Sequence, residues 1–224
     1  MAAKKPKTKF RLVCFDLDGT LIADTANIWS FICNEFGCDV KKKDEAAEKY
    51  FKNIITYNEW VGHDVEMWKK KEITKNDFLK AMGKLKLTKG AVETIKELRK
   101  RGMKVGIISD SLDIALVALL PDHEKLFDEV FINKMLFDKD GRISGWKATE
   151  YCMDRKADGL KRMAEKENIR LGECVFVGDE HNDVKAAEIA GLSIAFNPNS
   201  DELRRKADVV VEKKDLREIL KHII

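Results

Sequence analysis

Asp16-Leu17-Asp18-Gly19-Thr20 sets two carboxylates one residue apart, directly after the apolar run Phe10–Phe15. That run reads as a buried strand. A strand's period of two puts Asp16 and Asp18 on one face, and Gly19 lets the chain turn sharply beyond them. Carboxylates at the C-terminal tip of such a strand point into the crevice where open α/β sheets bind ligands. One can attack an electrophile or hold a metal while the other handles a proton.

Three more clusters follow the ends of apolar runs. Ile107-Ile108-Ser109-Asp110-Ser111 ends in hydroxyl residues ahead of a helix expected from Leu112. A Ser beside free backbone N–H groups at a helix start suits an anion. Lys156 opens the helical pattern Lys156-Ala157-Asp158-Gly159-Leu160, where a cation opposes the helix dipole and so calls for a local purpose. Val175-Phe176-Val177-Gly178-Asp179-Glu180-His181-Asn182-Asp183 places two Asp residues four apart across a turn. One of that pair can ligate a hard cation while the other positions a lysine. An ordinary capped turn accounts for any one cluster. It does not account for all of them, in this order, each at a strand's end.

The elements that must position them alternate. Strand-like runs recur at Phe10–Phe15, Met103–Ser109, Glu129–Ile132, Cys174–Val177, Leu192–Phe196 and Asp208–Val211. Helical patterns over Thr88–Arg101, Arg155–Asn168 and Asp183–Ala190 separate them, and Gly102 and Gly191 mark two helix ends. This alternation predicts an α/β fold with right-handed crossovers and a mostly parallel sheet. Asp138–Gly145 reads as a hairpin turning at Asp140-Gly141. From Asn27 to Leu87 only charged, aromatic helical patterns occur. We expect a core of residues 9–25 and 88–224, a helical cap over 26–87 serving as a lid, and a basic flexible tail over 1–8.

Of the 224 residues, 44% are apolar, enough for a sizeable core, and 36% are charged with a net charge of only +3. Balanced charge argues against a nucleic-acid partner. No apolar run approaches the ~20 residues of a membrane span. The five cysteines (Cys14, Cys33, Cys38, Cys152, Cys174) lack a Cys-x-x-Cys pattern. They read as thiols of a reducing, cytoplasmic protein without a zinc site.

The four clusters together resemble the motifs of the haloacid dehalogenase superfamily of phosphohydrolases: Asp16-x-Asp18-Gly19-Thr20, Ser109, Lys156, and Gly178-Asp179 with Asn182-Asp183. The likeness runs toward its phosphoserine phosphatase branch through Thr88–Leu98, Lys156-Ala157-Asp158, Ala190–Asn197 and Lys213–Leu220. It covers the expected core, with its Rossmann-like fold, and is weaker across the cap. The resemblance implies Asp16 as nucleophile forming an aspartyl-phosphate, and Asp18 as general acid and base. It implies Mg²⁺ held by Asp16, Asp179 and the backbone carbonyl of Asp18. Ser109, Lys156, Asn182 and the backbone at Asp110 would hold phosphate, with Thr20 and Asp183 in support. Mg²⁺ suits such an all-oxygen set.

Substrate selection is where the likeness departs. The Glu with which that branch reads an amino group aligns with Thr25, next to Asp24, and its carboxylate-reading Arg falls near Asp64. Ser109-Asp110-Ser111 replaces Ser-Gly-Gly, and His181 reads as a solvent-facing loop residue. The expected partner is a small phosphorylated metabolite. Phosphotransfer or a mutase reaction is the alternative chemistry, and a non-catalytic phospholigand-binding module a third reading. Oligomeric state is not legible.

Overall fold

The computed structural model describes residues 9–25 and 27–224. The expected tail, residues 1–8, and Ala26 lie outside the described residues. In β1 (Leu12–Phe15) every residue is buried, yet its faces serve different cores. Val13 and Phe15 pack with Ile95 and Leu98, whereas Leu12 and Cys14 pack with Leu160 and Met163. A strand covered on both faces shows an unbroken apolar run, as parallel sheets require.

After β1 come β2 (Ile22–Ala23), the helices α1 (Ile28–Phe36), α2 (Val40–Phe51), α3 (Tyr57–Lys70) and α4 (Lys75–Met82), and then β3 (Lys86–Leu87). The chain continues through α5 (Ala91–Lys100), β4 (Lys104–Leu112), α6 (Asp113–Leu119), α7 (His123–Leu126), β5 (Glu129–Phe137), β6 (Ile143–Lys147) and α8 (Lys156–Lys166). It ends with β7 (Cys174–Gly178), α9 (Val184–Ile189), β8 (Leu192–Phe196), α10 (Asp201–Lys206), β9 (Val209–Val211) and α11 (Leu220–Ile223).

Seven strands form one sheet in the order β6-β5-β4-β1-β7-β8-β9. Only the β5–β6 pairing is antiparallel. The strand order reverses at β1, and a crevice opens there beyond the strands' C-terminal ends. Phe15 is level with Ile107 on one side and Val177 on the other. Asp16, Ser109 and Asp179 therefore leave the same edge within two residues of one another. Asp16 shares the parity of Cys14 and emerges on the face covered by α8, whose first residue is Lys156.

The helices between β2 and β3 carry their own start signals. Asn27 caps α1, Asp39 caps α2, and Thr56 with Glu59 and Thr74 with Asp77 form reciprocal capping boxes on α3 and α4. Trp29 stacks on Trp68, and Phe78 lies edge-on to Phe36, Trp68 and Phe137 of β5. Through Phe137 this aromatic core runs into that of the sheet.

Four expectations are corrected. The stretch expected to be wholly helical is bracketed by a two-strand ribbon, with Ile22 opposite Leu87 and Ala23 opposite Lys86. Strand β4 runs past Ser109 to Leu112, with an irregularity between Ile108 and Leu112, and the helix begins at Asp113. The hairpin turns at Asp140-Gly141 as expected, but its strands extend beyond the expected bounds, to Lys147. Cys33 and Cys38 form a disulfide rather than two thiols, because the left-handed Gly37 (φ 66°) folds the chain back and leaves their Cα atoms 4.9 Å apart. Cys14, Cys152 and Cys174 stay free and buried. Among the described residues, no helix is long and apolar enough to cross a membrane.

Candidate active site

Lys156 sits at the centre of the crevice, fully buried. Its ammonium lies 2.9 Å from Asp16 Oδ2 and 2.7 Å from Asp183 Oδ1. Burial alone would drive its proton off. The negative charges of Asp16, Asp183 and Asp110 outweigh that effect and raise its pKa, so it stays charged. Asp183 in turn is held at both oxygens: Oδ1 by Lys156, and Oδ2 by the backbone N–H groups of Asp179 (2.9 Å) and Glu180 (3.0 Å). Its acceptor sites are largely taken, which makes it an anchor for Lys156.

Asp16, Asp179 and Asp183 each offer an oxygen within 4.8 Å of the others, all three residues buried. Asp179 receives Thr20 Oγ1 at 2.9 Å and Asn199 Nδ2 at 3.2 Å and forms no ion pair among the described residues. Burial and then the charge of Asp16 push its pKa above the usual carboxylate range. Five aspartates (Asp16, Asp18, Asp110, Asp179, Asp183) thus crowd one lysine. Such a donor set, all oxygen and short of positive charge, fits a hard divalent cation.

Asp18 has other partners than Asp16. Its Oδ1 accepts from Ser111 Oγ at 2.8 Å and its Oδ2 from the backbone N–H of Ile28, the first residue of α1, also at 2.8 Å. Burial, reinforced by Asp16, raises its pKa to about 7. It therefore exchanges a proton near neutrality, as a general acid–base group must.

Asp110 is a clamp. Its Oδ1 accepts from Met153 N at 2.7 Å and its Oδ2 from Asn182 Nδ2 at 2.8 Å, while its carbonyl accepts Trp29 Nε1 at 2.8 Å. One residue thereby ties the Ser109 loop to the turn before Lys156, to the Asp179–Asp183 loop and to α1. Among the described residues, Asn182 Oδ1 is buried with no hydrogen-bond partner. Ser109, itself buried, receives Ser111 N on its Oγ at 3.2 Å.

This combination of sheet order and carboxylate cluster has close relatives. The profile of the haloacid dehalogenase-like hydrolases matches residues 10–191. The chain belongs to that family. It is 35% identical over 217 residues to a phosphoserine phosphatase of Methanocaldococcus jannaschii, covering 96% of this chain and 98% of that one. A solved substrate-bound phosphoserine phosphatase complex superposes with a TM-score of 0.76 at 33% identity, over 97% of this chain and all of the other. A phospho-aspartyl intermediate analogue of phosphoserine phosphatase superposes at 0.74 with 32% identity, covering 96% of this chain and 99% of that one.

The haloacid dehalogenase-like frame brings together Asp16, Asp18, Thr20, Ser109, Asp110, Lys156, Asp179, Asn182 and Asp183. It does not bring in Asp24. That residue's left-handed backbone (φ 53°) turns its side chain to the surface, where it pairs with Lys214 at 2.6 Å. Thr25 is buried beside it. Asp64, expected in the cap, lines a cavity of about 80 Å³ with Trp29, Tyr57, Trp60 and Asp110. His181 is exposed, as expected, 3.0 Å from Glu202. Sequence reasoning missed Ser111, Asn199 and Trp29. The first lay inside a quoted motif; the other two are joined to the site only by the fold.

Proposed function

We propose that this protein is a Mg²⁺-dependent phosphomonoesterase working through an aspartyl-phosphate, similar in chemistry to the phosphoserine phosphatases. The observation that carries this reading is the separate partnering of Asp16, held by Lys156 within the carboxylate cluster, and Asp18, held by Ser111 Oγ and Ile28 N. The Asp16 carboxylate attacks phosphorus as the ester P–O bond breaks, and Asp18 passes its proton to the departing oxygen. Water then attacks the aspartyl-phosphate and gives its proton to Asp18, which frees phosphate and restores both carboxyls. Lys156, fixed by Asp183, meets charge on the phosphoryl oxygens, and Ser109 with Asn182 orients them. Asp16, Asp179 and the Asp18 carbonyl would hold Mg²⁺, which when bound offsets repulsion between carboxylate and phosphate. We further propose that residues 27–87 act as a cap, since α1 touches both Asp18 and Asp110 through Ile28 N and Trp29 Nε1.

Phosphate release from small phosphomonoesters, with Mg²⁺ and with chelator, tests the reading. Asp16→Asn is expected to lower turnover by at least about a thousandfold while the protein unfolds as cooperatively as the parent. Mg²⁺-dependent release that survives in Asp16→Asn, or phosphate passing to an added acceptor in place of water, would overturn it.

A further inference from the structure

The cavity beside Asp110 contains a carboxylate that the chemistry above does not use. Asp64, on α3, is 4% exposed. Among the described residues its side chain's one polar contact is a 3.3 Å approach by the ring of neighbouring His63, long for a hydrogen bond. A buried carboxylate is costly unless something donates to it. Around it stand the rings of Trp29, Tyr57 and Trp60. Aromatic faces attract an organic cation. Lys43 also lines the cavity, half-buried, and its charge draws the Asp64 pKa down against burial; its ammonium is hydrogen-bonded to Ser30 Oγ at 3.2 Å and makes no ion pair with Asp64 among the described residues.

The Asp110 end of this cavity locates the substrate's other end. Trp29 Nε1 bonds the Asp110 carbonyl, and Asp110 adjoins Ser109 and holds Asn182. An ester whose phosphate lies at Ser109 and Lys156 therefore has the Asp64 cavity open to its alcohol portion. The Asp110 carboxylate, occupied by Met153 N and Asn182, adds negative potential on the same side.

We propose that Asp64 is the specificity-determining residue of this site and reads an ammonium group, so that the substrate is the phosphate ester of a small amino alcohol. This rests on the phosphomonoesterase reading and sharpens it. Asp24, the other acidic residue available near the first motif, is spent on Lys214 at the surface, which leaves Asp64 as the carboxylate in the cavity besides Asp110.

The test uses two pairs of esters that differ only by ammonium against hydroxyl. One pair is phosphoethanolamine and glycol monophosphate. The other is L-phosphoserine and phosphoglycerate, which also carry a carboxylate and so report whether Lys43 engages one. In the parent protein the ammonium member of at least one pair is expected to have kcat/KM about 10- to 100-fold above its partner. Asp64→Asn should bring that ratio close to one, chiefly through KM, and Asp64→Glu should restore part of it. Trp60→Leu, which strips an aromatic wall and keeps the carboxylate, should lower the same ratio.

Binding of the same pairs to the Asp16→Asn protein, followed by calorimetry, separates the two readings. An ammonium preference in binding that Asp64→Asn removes supports the proposal even where turnover fails, and turnover failure then strikes the phosphatase reading alone. Hydrolysis without ammonium preference in either pair, or a preference that survives Asp64→Asn, overturns the proposal.

Discussion

Gly19 shows how narrowly the site's geometry is set. Its φ of +72° is left-handed, and a Cβ there would lie 2.1 Å from Asp179 Oδ2. Alanine would thus carry a backbone penalty of about 1–2 kcal/mol and also displace the carboxylate that faces Asp16. Displacement of about 1 Å at a reacting centre can cost a hundredfold in rate. We expect Gly19→Ala to lower Mg²⁺-dependent phosphate release by about that factor, with thermal unfolding only a few degrees lower, and with the apparent Mg²⁺ requirement raised. A variant with parental activity would mean that Asp179 has no fixed role. The residue types and their order were legible without any structure because the chemistry demands particular groups at particular strand ends. Asp110 was not legible in its actual use: a carboxylate beside a phosphate site reads as an intrusion until Met153 N and Asn182 are seen to occupy it.

Between elements, the join of α5, β4 and β5 rests on one carboxylate. Asp128, just before β5, accepts from Val105 N at 3.0 Å, Arg99 at 2.5 Å and Lys104 at 3.3 Å. Burial pushes its pKa up, but the Val105 bond and the two cations outweigh burial and hold it below the usual range. A carboxylate with a depressed folded pKa stabilises fully above its unfolded value of about 3.9. That stability is lost as pH falls through the folded value. Asp128→Asn should therefore cost about 1–2 kcal/mol near pH 7, and denaturant curves for variant and parent should converge at a pH below the folded pKa. Curves that stay equally separated at both pH values would assign the loss to shape rather than charge. The strands flanking this join were legible: β1, β4, β7 and β8 are buried on both faces and show as apolar runs. Two-residue β2 and β3 carry no period to read, and β6 alternates too weakly, with Ser144 and Lys147 exposed. The Cys33–Cys38 bond depends on a helix end and a left-handed glycine, which cysteine spacing alone does not announce.

Across the whole molecule, the segment between β2 and β3 is fixed to the sheet by side-chain and backbone bonds between residues far apart in sequence, which is why the placement of Asp64 could not be read from spacing. Tyr57 OH accepts Asn133 Nδ2 at 2.9 Å, Lys75 N donates to the Gly141 carbonyl at 2.8 Å, and Trp146 Nε1 donates to Asn58 at 3.2 Å. Beside that last bond, Gly62 of α3 lets the Trp146 ring close on the helix: a Cβ at Gly62 would sit 2.4 Å from ring atom Cζ2. Two effects of Gly62→Ala therefore oppose each other. Helix propensity favours alanine by about 1 kcal/mol, while forcing apart a packed contact costs about 1–3 kcal/mol. Asn58 fixes the ring at Nε1, on the same edge that faces Gly62, so packing should win. Gly62→Ala is expected to lower the unfolding temperature and, because Asp64 is two residues on, to raise KM for the preferred ester more than it lowers kcat. Combining it with Trp146→Ala removes the ring and leaves only the propensity gain. The double variant should then be more stable than Trp146→Ala alone, by about 1 kcal/mol. If Gly62→Ala instead raises the unfolding temperature in the parent background, the indole yields freely, and this contact does not hold the helices over the site.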